Sequence, residues 1–181
     1  PFGSTAGSEL QMKSNMKKAQ ELLKASGYDG TTVVILKPTD LPTVHKLPEV
    51  AAQLLRQAGF KVDLQSMDWQ TLVARRARKD APDKGGWSIN LTAFSAFDVS
   101  NPITNPALDA RGEKSTSIGW PSDEKLVTLR DSFMRATDEA SKKKLADQIH
   151  ARAFETGNHV VLGEMSIPMA ARKNISGFFI T

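Results

Sequence analysis

Residues 92–106, TAFSAFDVSNPITNP, hold the side chains in this chain best suited to chemistry. Asp98 stands between Phe94 and Phe97 on one side and Asn101 on the other, with Ser95 three residues before it. A carboxylate beside aromatic walls is what a pocket needs to hold a small amine or other cation. The carboxylate supplies a charge-assisted hydrogen bond, and the rings exclude water. The same residues also describe a turn, with Asp98 bonding its own backbone and the phenylalanines buried in a core. Composition leaves the two readings equal. Trp69, directly after Asp68, has the same double meaning: the wall of a site, or an ordinary core tryptophan.

Templates for bond-making chemistry are missing. His45, His150 and His159 lie far apart in the sequence and lack metal-ligand spacing. No Gly-x-Ser-x-Gly elbow, Walker loop or Gly-x-Gly-x-x-Gly occurs, and no carboxylate pair stands out. The absence of cysteine excludes thiol catalysis, disulfides and cysteine-ligated metals. The expectation is a binding protein that needs no metal or cofactor, not an enzyme.

Composition narrows the class further. With 181 residues and 40% hydrophobic content, the chain can build one ordinary core. No apolar run is long enough to span a bilayer. The N-terminus carries neither a signal-peptide pattern nor an initiating Met, which fits a processed protein or an excised fragment. The net charge is +4, and the basic clusters Lys17-Lys18, Arg75–Lys79 and Lys142–Lys144 each fall within a helical pattern. Solvated helix faces account for them better than a nucleic-acid footprint does. A nucleic-acid-binding domain is therefore a minor alternative, behind a ligand-sensing domain of a signalling receptor.

The elements that must position these residues show in a phrase used twice. Residues 22–36 read LLKASGYDGTTVVIL, and residues 54–69 read LLRQAGFKVDLQSMDW. Each is a helix end, a glycine stop, an aromatic and a β-rich run. After an extended stretch over 1–12, the pattern predicts a helix capped by Ser14 or Asn15, a strand over 31–36 and a helix over 48–58. A strand over 60–66 follows. The two strands should lie parallel with a right-handed crossover. A third helix begins at Trp69, a third strand covers 87–94, and helices follow Ser122 and Asp138. A late strand covers 159–167, with short strands at 169–171 and 178–180. The expected architecture is α/β: a layered mixed sheet with flanking helices, formed by 1–181 as one domain. The segment after the third strand would then lie at a strand's C-terminal end, where ligands gather in such sheets.

These phrases, Ala19–Gly30, Val50–Leu64, Met67–Arg76, Gly119–Asp123 and Asp138–Ile149, resemble the extracellular solute-binding proteins of family 5. That family contains the dipeptide-, oligopeptide- and nickel-binding proteins of ABC importers. The resemblance implies the second, C-terminal lobe of a two-lobed periplasmic binding protein of type II. Its partners would be a small-molecule or peptide ligand, the missing N-terminal lobe and a membrane permease. It also implies that Asp98, four residues before Pro102, holds a ligand's amino group, and it moves Trp69 toward the cleft. Ser95 occupies the position where peptide binders carry a tryptophan. The loop KPTDLPTVHKLP lacks the arginine that dipeptide binders place there for a carboxylate, leaving Lys37 as the nearest cation. The resemblance therefore carries the transport role further than dipeptide specificity.

Overall fold

The computed structural model describes residues 2–10, 13–115, 117–168, 170, 172 and 174. Helix α1 (Met16–Ala25) starts where Asn15 accepts a hydrogen bond from the Lys18 amide at 2.9 Å. Strand β1 (Val33–Pro38) is followed by α2 (Leu47–Ala58) and β2 (Val62–Met67). Between α2 and β2, Gly59 adopts φ 111°, and its N–H reaches back to the carbonyls of Leu55 and Arg56. Only glycine takes that left-handed turn without strain, so the helix stops there and the chain reverses into β2.

β1 and β2 pair in parallel from Val33 opposite Val62 to Pro38 opposite Met67, as the repeated phrase predicts. The third strand is much shorter than expected. Within 87–94 the ladder strand is only β3 (Ile89–Asn90), parallel to β1 at Ile35 and Leu36, with the Ser88 amide adding one bond to the Val34 carbonyl at 2.9 Å. Trp87 is instead held by its indole N–H, which donates to the Arg76 carbonyl at 3.0 Å. The sheet order is β2-β1-β3. Helix α2 covers one face through Ala52, packed with Ile35 and Leu91. Helix α3 (Trp69–Arg76) covers the other through Leu72, packed with Val34 and Leu36. A parallel sheet buried on both faces explains the apolar run VVIL in β1.

After the four-residue helix α4 (Ala96–Val99), the antiparallel-packed pair α5 (Glu124–Arg135) and α6 (Glu139–Thr156) forms a second core layer. Leu108, Leu126, Phe133, Ile149 and Ala153 are buried there. Asp123 and Asp138 cap the two helices, accepting from the Leu126 and Ser141 amides. Residues 2–10 are not simply extended. Phe2 packs edge-on against Phe133, with ring centroids 5.2 Å apart, and Ser8–Leu10 forms a short 3-10 helix.

The strand expected over 159–167 does not form. Val160, Val161, Leu162, Met165 and Ile167 stand exposed, with Ile167 at 71%. An apolar pattern alone does not make a strand, because a strand also needs a sheet edge in register with it. The short strands expected at 169–171 and 178–180 fall on residues outside the described set.

The histidines also differ from expectation. Gly157 turns the chain so that His159 lies against Phe154, with centroids 6.5 Å apart. Burial pushes both imidazoles below their usual pKa, and His150 adds repulsion to His159. The unfolded chain therefore protonates first as pH falls. Stability should be full above about pH 6.5 and decline below it. A melting-temperature series from pH 8 to 5 should show that decline, and the double variant His150→Gln, His159→Gln should flatten it.

Candidate ligand-binding edge of the sheet

Because the three strands run parallel, their C-terminal ends share one edge. The segments leaving that edge are the loop after Pro38, the Asp68-Trp69 corner and the stretch from Leu91 to α4. Ligands bind in this position in open α/β sheets, outside the carboxyl ends of the strands.

The stretch around Asp98 is locally ordered. Ser95 caps α4: its Oγ accepts from the Asp98 amide at 3.2 Å, and its O–H donates to Asp98 Oδ2 at 2.7 Å. One hydroxyl therefore fixes both the backbone and the carboxylate of Asp98. The carboxylate stays exposed, with acceptor capacity beyond that single hydrogen bond. Phe97 is 85% exposed and Phe94 48%. The phenylalanines are thus not core residues, which removes half of the turn-and-core reading. The Asx behaviour falls on Asn101 instead, whose Oδ1 accepts from the Ile103 amide at 2.9 Å. Two large exposed rings beside an oriented carboxylate make a surface of the kind that binds partners.

Trp69 sits at the same edge but in a different setting. Asp68 caps α3 by accepting from the Thr71 amide at 3.0 Å, and the Trp69 amide donates to Asp40 Oδ1 at 2.7 Å. Asp40 thus ties the loop after β1 to the corner after β2. The indole is half-buried against the cluster of Val34, Leu36 and Leu72. The guanidinium of Arg76 covers the ring at 5.1 Å from its centroid. Trp69 is in the main a packing residue that reaches the edge. Lys37, the nearest cation in sequence, is committed to Glu49 by an ion pair. That pairing holds the Glu49 carboxyl below its usual range, chiefly through the hydrogen bond from Lys37.

The basic cluster at 75–79 is likewise engaged locally. Arg75 donates to the Gly86 carbonyl, Arg78 pairs with Asp80, and Lys79 lies over Trp120. Trp120, just before α5, is strained and stacked. It takes φ 48° and faces Trp87 at 6.4 Å.

Sequence reasoning missed two residues that shape the edge, Asp109 and Arg130. Asp109 is 2% exposed and is gripped by Arg111 through two hydrogen bonds of 2.7 Å. Arg130 reaches Asp109 and the carbonyls of Pro102 and Ile103. A signal was available: Arg130 lies four residues after Leu126 and three before Phe133, on the helix's core face. A charge at a core position implies a buried partner. Among the described residues no cluster of three potential metal ligands occurs, and no helix is long and apolar enough to cross a membrane.

Comparison with known proteins converges on one family. Residues 1–113 match the model of the bacterial extracellular solute-binding proteins, family 5 Middle. A probable peptide ABC transporter periplasmic-binding protein of Sinorhizobium fredii is 34% identical over 161 residues, covering 89% of this chain and 30% of that protein. The glutathione-binding protein GsiB of Pectobacterium atrosepticum is 25% identical, covering 90% of this chain and 32% of that protein. The chain thus spans about a third of the length of the relatives it matches. In fold it resembles NikA of Staphylococcus aureus, solved with Ni(L-His)2, at a TM-score of 0.64 and 14% identity; the match covers 81% of this chain and 30% of that one. The chain belongs to the bacterial extracellular solute-binding proteins of family 5, a family of transport binding proteins.

Proposed function

We propose that this chain is the second lobe of the substrate-binding component of an ABC importer. It would act outside the cytoplasmic membrane, in the periplasm or at the cell surface. The observation that carries this reading is the exposed, Ser95-oriented Asp98 carboxylate between Phe94 and Phe97 at the C-terminal edge of the sheet. Asp98 takes the amino group of a peptide-like or other amine-bearing solute. Phe94 and Phe97 shield that contact, and Ser95 and Asn101 hold the loop in shape. Trp69 stands as the wall across the edge. A ligand carboxylate would need a cation other than Lys37, which Glu49 already occupies.

The lobe performs no bond chemistry. Ligand bridges it to an N-terminal lobe, and the closed form delivers the solute to a membrane permease.

A thermal-shift screen of the full-length protein against peptides, opines, simple amines and metal chelates tests this. A ligand at a hundred times its Kd stabilises the folded state by about 2.7 kcal/mol, a readily measured shift. Amine-bearing solutes should raise the midpoint. Shifts confined to ligands without an amine would contradict the reading.

A further inference from the structure

Arg130 is built into the core face of α5, yet its donors point at the segment that follows Asp98. Its Nε–H donates to the Pro102 carbonyl at 3.1 Å and its Nη2 to the Ile103 carbonyl at 3.0 Å. Its Nη1 donates to Asp109 Oδ1 at 3.3 Å. A guanidinium can serve two successive carbonyls and a carboxylate at once; an ammonium cannot match that fork.

Neutralising Asp109 does not require Arg130, because Arg111 already grips both carboxylate oxygens. What Arg130 adds is the hold on residues 102 and 103. The same segment is tied from its other side. Thr104 Oγ1 donates to the Asp98 carbonyl at 2.9 Å, the Asn105 amide donates to the Asn101 carbonyl at 3.0 Å, and the Phe2 amide donates to the Ser100 carbonyl at 3.1 Å. Asp98 thus sits on a short loop whose far end meets the α5–α6 layer through the packing of Ile103 and through Arg130, 12% exposed, which supplies the polar hold.

We propose that Arg130 is a positioning residue for the Asp98 loop, fixing the place from which Asp98, oriented by Ser95, meets a ligand without touching the ligand itself. The loop's rigidity is independent of any ligand; its value for binding rests on the reading of Asp98 given above.

Amide hydrogen exchange on the chain as it stands, without ligand, separates the two. In Arg130→Met the amides of Asp98, Ile103 and Asn105 should exchange at least about tenfold faster, while amides in β1 and α2 keep their rates. Arg130→Lys retains a charge beside Asp109, so it should fold even where the methionine variant does not, and it should show the same local acceleration in weaker form. The control is Arg152→Met, which removes the partner of buried Asp123 on the neighbouring helix. It should destabilise the α5–α6 layer and leave the loop amides unchanged relative to that layer. Unchanged loop rates in both Arg130 variants would overturn the proposal, as would equal loop acceleration in Arg152→Met. Failure of the Asp98 reading would appear elsewhere, as unaltered binding by Asp98→Asn.

Discussion

Replacing Asp109 with alanine is expected to destabilise the chain by about 3–5 kcal/mol, as breaking a buried ion pair from one side does. The carboxylate is almost fully enclosed and serves two arginines. The partners left behind differ in their options. Arg111 is half-exposed and can turn to water, so its loss is mostly screened. Arg130 cannot: only 12% exposed, it would keep the Pro102 and Ile103 carbonyls but lose the carboxylate beside it. The greater part of the penalty therefore falls on Arg130. Urea denaturation should show a lowered midpoint with an unchanged slope. The pair Asp109→Ala, Arg130→Met should recover part of the loss, because it removes the stranded charge with the carboxylate.

Asp98→Asn should do the opposite: leave the fold alone and damage binding. Asn retains an oxygen that can accept from Ser95, so the cap on α4 survives. The side chain is exposed, and the melting temperature should not move. In the full-length protein, affinity for an amine-bearing ligand should fall by roughly 1.5–3 kcal/mol, about 10- to 150-fold, the typical worth of a hydrogen bond to a charged group. Calorimetric titration of both proteins with the strongest amine ligand from the thermal screen measures it. Wild-type affinity would remove Asp98 from the site.

The contrast between these two aspartates shows what the amino-acid sequence could reveal. Local signals were legible. The glycine stop at Gly59, the caps at Asn15 and Asp138, and the parallel pairing of VVIL with VDLQ follow from local pattern, while α5, expected to open at Ser122, is capped one residue later by Asp123. The pairing of Ser95 with Asp98 is also local, and the exposure of Phe94 and Phe97 agrees with the site reading of that loop. What failed was long-range. The third strand is shorter than its pattern because Trp87, apolar and β-prone, packs by its side chain on β1 and α3 and bonds the Arg76 carbonyl, without joining the ladder. The run at 159–167 has the pattern of a strand, but pairing needs a free edge that pattern cannot supply. Asp109 and Arg130 are 21 residues apart, and only the fold brings them together. His159 follows the end of α6 in sequence, yet the turn at Gly157 lays it back against Phe154 of that helix.

The most direct measurement is the structure of the full-length protein bound to an amine-bearing ligand found by the thermal screen. The account predicts the ligand's nitrogen within about 3 Å of an Asp98 carboxylate oxygen, with Phe94 or Phe97 closing over it. A ligand seated between the lobes with Asp98 bonded only to Ser95, and its amine held by another residue, would contradict it.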